Sequence, residues 1–167
     1  MRHGKSAWDS GALTDHARPL APRGARSAAL VASELLRCDW RPHRILTSDA
    51  RRAVETAERM AEVLGVEIVQ RRVLYLGGPD ELPTALEDVP DDEDVLVLGH
   101  NPGLSMCLEQ LSGCARPLAT ADAALLRATD EAPCGGWGAR ARRPQGFVLE
   151  QVIVARPLFD RDADGAG

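Results

Sequence analysis

Val95-Leu96-Val97-Leu98 is an unbroken apolar run that ends directly on Gly99-His100-Asn101-Pro102. A short run without polar alternation fits a strand buried on both faces, and such strands belong to parallel sheets covered by helices. The neighbouring segments obey the same constraint. Ile45-Leu46-Thr47 and Val66 to Val69 read as further strands. Between them the periodicity becomes helical. Pro22 to about Arg37 places Ala28, Val31, Ala32 and Leu35 on one face, behind a first-turn proline. A second helix, capped by Ser48 with Asp49 at its positive end, has Ala53, Ala57, Met60 and Leu64 as its core face and stops at Gly65. Leu82, Ala85, Leu86 and Val89 predict a short helix. Pro102 opens another, with the stripe Leu104, Cys107, Leu108 and Leu111 closed by Gly113. Strands at Ala123–Ala128 and Phe147–Ala155 flank a Pro-, Gly- and Arg-rich loop. Alternating strands and helices predict a three-layer α/β/α sandwich with a largely parallel central sheet.

The chain has 167 residues, room for one domain, expected over 1–157. Residues 158–167, rich in Asp and Gly, read as a disordered tail. The 25 acids against 20 bases give a formal charge of −5, which argues against a general nucleic-acid binder. The only basic cluster, Arg140-Ala141-Arg142-Arg143, reads as a solvated loop, and residues 87–94 as an exposed acidic turn. No apolar run is long enough to span a bilayer, and no apolar stretch follows the charges at Met1-Arg2-His3-Gly4-Lys5. The expected compartment is the cytoplasm, with no membrane partner. Cys38, Cys107, Cys114 and Cys134 form no CxxC and no zinc-like pairing with histidine, so free, mostly buried thiols are expected. The acids do not cluster with histidines at ligand spacing, and neither metal nor cofactor is called for.

Three polar motifs fall at strand-to-helix junctions or at an analogous chain start. They are Arg2-His3-Gly4, Ser48-Asp49-Ala50-Arg51-Arg52 and Gly99-His100-Asn101-Pro102. Open parallel sheets gather such junctions at one edge, where helix N-termini offer unpaired N–H groups. Arginines and histidines added to that edge make an oxyanion site suited to a phosphate dianion; a carboxylate would satisfy the same logic.

The motifs together resemble the histidine phosphatase superfamily (phosphoglycerate mutase-like), in its short SixA-type branch of phosphohistidine phosphatases. They run RHG (Arg2-His3-Gly4), RPL-x-x-RG (Arg18-Pro19-Leu20, Arg23-Gly24), S-x-x-x-R-A-x-E-T-A (Ser48 to Ala57) and GHNP (Gly99 to Pro102). RHG alone would be weak; four motifs in order are specific. The resemblance implies a metal-independent phosphatase with a phosphohistidine intermediate on His3, acting on a phosphorylated protein or a small phosphorylated substrate. It implies that Arg2 and Arg52 hold the phosphoryl oxygens and that His100 contacts them and stabilises the charge in flight. Arg18 is a weaker candidate for the pocket rim. Arg52 rather than Arg51 falls in the motif register, which leaves Arg51 at the surface. Flanking arginines are expected to lower the pKa of His3, giving an acid-side loss of activity with a histidine-like midpoint.

Larger members of the family carry a glutamate that protonates the leaving oxygen. Asp15, Asp80 and Glu81 are the candidates here, with Asp15 preferred. A phosphoramidate nitrogen can be protonated from solvent, so weak acid catalysis suits that substrate. His16 and His43 read as surface residues, Trp8, Trp40 and Trp137 as packing residues, and Tyr75 as structural. The family also places an apolar strand before RHG, and no such first strand stands ahead of Met1. An extension of about five to eight apolar residues is therefore expected in the native product. A non-catalytic phosphate- or phosphoprotein-binding module is the alternative reading, and a phosphoglycerate-type mutase, for which the chain is short, ranks below it.

Overall fold

The computed structural model describes residues 1–129 and 136–158; Cys134 and the tail beyond Leu158 lie outside the described residues. Strand β1 (Arg44–Thr47) pairs in parallel with β2 (Glu67–Gln70) on one side and β3 (Val95–Leu98) on the other. Within β1, Ile45 and Leu46 are fully buried and point to opposite faces, as successive strand residues must. Ile45 packs with Ala28 and Val31 of α1 (Pro22–Arg37) and Ala53, Ala57 and Met60 of α2 (Arg51–Leu64). Leu46 packs with Leu82 of α3 (Leu82–Ala85), Cys107 and Leu111 of α4 (Gly103–Ser112), and Ala141 of α5 (Gly136–Ala141). Two helical layers therefore enclose one sheet layer. The parallel part has three strands; β4 (Ala123–Ala128) and β5 (Phe147–Ile153) form an antiparallel pair.

Several local expectations shift. Ser48 does not cap α2. Ala50 is the N-cap residue, and Ser48 Oγ instead accepts the Ala50 N–H (3.2 Å). The predicted loop between β4 and β5 contains α5. Gly138 lies so close to α3 that a Cβ there would meet Pro83 O at 2.9 Å, so tertiary contact overrides the poor helix propensity of glycine. Arg140 consequently lies on a helix, over the Trp137 ring (5.1 Å), rather than in a loop. Only Cys107 of the three described thiols is buried; Cys38 is intermediate and Cys114 exposed. Trp40 and Trp137 pack against the core, but Trp8 is 70% exposed.

The two parts of the sheet meet at the chain start. The Met1 amine donates to Val97 O (2.7 Å), Gly99 N–H to Met1 O (3.1 Å), and His3 N–H to Gly99 O (3.0 Å). On the other side, Arg2 N–H donates to Asp122 O (3.1 Å) and Ala121 N–H to Arg2 O (3.2 Å). Residues 1–3 thus run parallel to the end of β3 and beside the lead-in to β4. Next to this junction, an apolar cavity of about 180 Å³ is lined by Val95 and Val97 of β3, Ala124 and Leu126 of β4, and Leu104 and Leu108 of α4. Val95, Leu96 and Val97 are only half-buried beside it, not enclosed on both faces as their apolar run predicts. Met1 also lines this cavity, and burial pulls its amine pKa from 8.0 to about 5.

Candidate active site

The C-terminal edge of the parallel sheet gathers the polar motifs. His3 leaves the junction beside β3, Ser48 follows β1, His100 follows β3, and Arg52 occupies the first turn of α2. That helix begins Arg51-Arg52 with no acid in its first turn. Cations at the positive end oppose the helix dipole, so the local rule is broken where the cluster forms. Two glycines let the chain close around it. A Cβ on Gly4 would meet Gly24 O at 2.8 Å, and one on Gly24 would meet Lys5 O at 2.3 Å. This close approach seats residues 4–6 against the start of α1.

His3 is 7% exposed, and its Nδ1 lies 2.6 Å from Gly4 O. A carbonyl only accepts, so Nδ1 carries the proton and Nε2 keeps its lone pair. Arg52 Nε donates to that Nε2 (3.2 Å). The His100 ring centroid is 5.0 Å from that of His3. Arg52 Nη2 lies 3.1 Å from His100 Nδ1, which must accept because guanidinium only donates. His100 Nε2 therefore bears the hydrogen and donates to the fully buried Ser48 Oγ (2.9 Å). Thr56, also fully buried, accepts the Gly4 N–H (3.0 Å) and donates to Arg52 O (2.6 Å), tying the histidine segment to the arginine helix.

The remaining donors of Arg52 meet the segment before Arg18. Nη1 donates to Asp15 O (2.6 Å) and Nη2 to Asp15 Oδ2 (2.9 Å). Arg18 Nη2 pairs with Asp15 Oδ1 (3.0 Å), its guanidinium stacked on Trp8 (3.6 Å). The Tyr75 hydroxyl donates to Asp15 Oδ2 (3.2 Å), and the Tyr75 ring stands edge-on to His100 at 5.5 Å. Arg2 Nη1 donates to Leu118 O (3.0 Å). Arg2 Nε and Arg18 Nε and Nη1 are buried yet donate to no acceptor among the described residues. Buried donors without partners are rare and costly, and here three of them come from two of the arginines that the sequence singled out.

Of the residues predicted from sequence, His3, Arg52, His100 and Asp15 are joined by direct hydrogen bonds, and Arg18 joins them through Asp15. Arg51 is exposed and pairs with Glu55 (2.7 Å). Asp80 is exposed, and Glu81 accepts the Gly78 N–H (2.8 Å) at the approach to α3. His43 is exposed, whereas His16 is half-buried, its Nε2 3.0 Å from Asp49 Oδ1 and its ring edge-on to Tyr75. Ser48, Thr56 and Tyr75 were not expected in the cluster. Ser48 and Thr56 stand at fixed places in the S-x-x-x-R-A-x-E-T-A pattern, which was their available signal; Tyr75 carried none.

Burial, followed by the charges of Arg52, Arg2 and Arg18, lowers the His3 pKa from 6.5 to about 4, against the raising effect of its bond to Gly4 O. Burial and then the neighbouring His3 and Arg52 take His100 to about 3. Desolvation thus outranks the arginines that the sequence pointed to, and the midpoint drops below the histidine-like value expected from them. The unfolded chain binds a proton near pH 6.5 that folded His3 accepts only near 4. Stability should therefore fall as pH falls through that window, by about 3 kcal/mol from His3. Urea melts at pH 7 and pH 4.5 read this. His3→Gln should have the flatter profile, and an equally steep one would refute the assignment.

Such a cluster can receive a tetrahedral oxyanion and present an unprotonated imidazole nitrogen to it. The model of the histidine phosphatase superfamily (branch 1) matches residues 1–75. An uncharacterized chloroplastic protein of Arabidopsis thaliana is 35% identical over 140 residues, 77% of this chain and 64% of that protein. An uncharacterized protein of Mycobacterium tuberculosis is 35% identical over 117 residues, 68% of this chain and 72% of its own. A candidate phosphohistidine phosphatase SixA of Nakamurella multipartitia superposes with a TM-score of 0.74 at 29% identity, over 92% of both chains. The protein histidine phosphatase SixA in complex with tungstate superposes at 0.77 and 22% identity, over 95% of this chain and 96% of its own, a likeness of fold. The chain belongs to the histidine phosphatase superfamily, and its fold is that of the SixA-type branch. It spans just under two thirds of the Arabidopsis relative.

Proposed function

We propose that this protein is a phosphatase that removes phosphate from a phosphohistidine-bearing protein, or from a small phosphoester, through a phosphohistidine intermediate on His3. The observation that carries the reading is the state of His3: buried, neutral, with Nδ1–H tied to Gly4 O and the Nε2 lone pair facing Arg52. Arg2, Arg18 and Arg52 hold the phosphoryl oxygens, through the buried donors of Arg2 and Arg18 and the guanidinium edge of Arg52. Nε2 attacks phosphorus in line. The new P–N bond forms as the bond to the leaving group breaks, and water then cleaves P–N and restores the imidazole. His100, its Nε2–H held by Ser48, takes a proton on Nδ1 as the dianion arrives and donates to a phosphoryl oxygen.

Asp15 serves as the proton donor in this reading, since its half-exposed carboxylate stands beside the arginines that would hold the phosphoryl group. Burial raises its pKa, but Arg52, Arg18 and Tyr75 together outweigh it and hold the group below the ordinary carboxylate value. A bound dianion occupies those same cations and favours the protonated acid. The likeness to the candidate SixA enzyme supports phosphohistidine as the substrate class. A phosphate-binding module without turnover is the second reading, favoured by the cavity beside the segment that carries His3.

The two part on a covalent test. A phosphohistidine peptide and para-nitrophenyl phosphate are supplied in EDTA, and the reaction is quenched in alkali, where phosphohistidine survives. Turnover, with one phosphoryl group on His3 by peptide mass, is expected. Phosphate binding without a phosphoenzyme would establish the module, and the faster substrate indicates the natural class. Among the described residues no helix is long and apolar enough to cross a membrane. The partner proposed is the phosphorylated substrate.

A further inference from the structure

The arginine that would grip a phosphoryl group is already gripped. Four contacts engage the guanidinium of Arg52, which is 3% exposed: His3 Nε2, His100 Nδ1, Asp15 O and Asp15 Oδ2. The other carboxylate oxygen of Asp15 holds Arg18 Nη2 at 3.0 Å. A carboxylate bridging two arginines beside a neutral imidazole reproduces the charge and donor pattern of a bound oxyanion. Asp15 is also steadied from outside the pocket. Tyr75 donates to Oδ2, Arg51 N–H donates to His16 O (3.0 Å), and His16 Nε2 lies 3.0 Å from Asp49 Oδ1, so the segment is fastened to the start of α2 chiefly by the Arg51 bond. The side chain of Asp15 itself is 50% exposed. Rotating it outward frees Arg52 Nη2 and Arg18 Nη2 while the Arg52 bond to the Asp15 carbonyl remains.

We propose that the Asp15 carboxylate is a built-in substrate mimic that latches Arg52 and Arg18 at rest and must be displaced by the incoming phosphoryl group. The inference rests on the oxyanion-site reading above and deepens it. The latch keeps a buried arginine paired when the site is unliganded, which removes the cost of a lone buried cation. It also sets a threshold. A ligand must exceed one carboxylate in charge and donor demand, so a phosphoryl dianion displaces Asp15 where a monoanionic carboxylate does not.

Inorganic phosphate, titrated calorimetrically into the intact chain, tests this without recourse to turnover. Asp15→Ala and Asp15→Asn should each bind phosphate about tenfold more tightly than the parent, the expected gain from removing a charge-assisted competitor. Tyr75→Phe, which removes the hydroxyl that donates to Asp15 Oδ2 and keeps the ring beside His100, should bind it more tightly by about twofold to threefold. Acetate should compete for the pocket in Asp15→Ala and not in the parent. If the parent binds phosphate and the Asp15 variants bind it equally or more weakly, the latch is overturned while the oxyanion site stands. If no form binds phosphate, both readings fail.

Discussion

His3→Ala should lower turnover of para-nitrophenyl phosphate by ~10⁴-fold or more, with phosphate affinity changed only a few-fold. The two expectations come from different atoms. His3 Nε2 accepts from Arg52 Nε with its Nδ1–H held by Gly4 O, and His100 Nδ1 accepts from Arg52 Nη2 with its Nε2–H held by Ser48. The RHG motif, rather than a difference in lone pairs, makes His3 the proposed nucleophile. The groups proposed to hold the anion are Arg2, Arg18 and Arg52, and each keeps a partner other than the His3 ring. Arg52 retains Asp15 and His100, and Arg2 retains Leu118 O. A kinetic assay paired with phosphate calorimetry on the same preparation separates the two. Residual activity above a tenth of the parent's would end the nucleophile assignment, and unmeasurable phosphate affinity would show that the ring was needed to build the pocket.

The parts of this protein that were legible in its sequence share a physical cause. α1 and the strands around Ile45 and Val95 announce themselves because burial of one face imposes a period on composition. His3, Arg52 and His100 could be placed because each ends or begins an element within a fixed motif. What stayed hidden depends on contacts between segments distant in sequence. α5 forms because Gly138 presses on Pro83, and no local signal encodes that. Ser48 carries a helix-cap signature but spends its hydroxyl on the Ala50 N–H and on His100, 52 residues away. Tyr75 reaches Asp15 across 60 residues. The dominant cause of the low His3 pKa, burial, likewise belongs to the packed state; the arginines could be counted in the sequence, but the desolvation could not.

The cavity between β3 and β4 leads to the second large effect. A Val- and Leu-rich strand of about six residues joined ahead of Met1 should raise Tm by roughly 5–10 °C. Residues 1–3 already run parallel to the end of β3, so an added segment that continued this line would enter the cavity beside Val95 and Val97. Filling about 180 Å³ of apolar space is worth about 4 kcal/mol at the cavity cost seen in protein cores. The entropy of ordering six residues opposes this gain, and new ladder hydrogen bonds offset it. A further gain is electrostatic. The buried Met1 amine, held near pKa 5 by desolvation, would become a peptide N–H already aimed at Val97 O. The unfolded chain binds a proton at that amine near pH 8 that the folded chain binds only near 5, so this contribution to stability is lost as pH falls through that window. The extended chain should therefore also lose less stability between pH 8 and pH 5. A Gly/Ser extension of equal length supplies the peptide bond without the apolar side chains, and should flatten the pH dependence while leaving Tm near the parent's. Equal melting temperatures for the two extensions would mean that the cavity does not accept a strand, and that His3 is held by the hydrogen bonds of residues 1–3 alone.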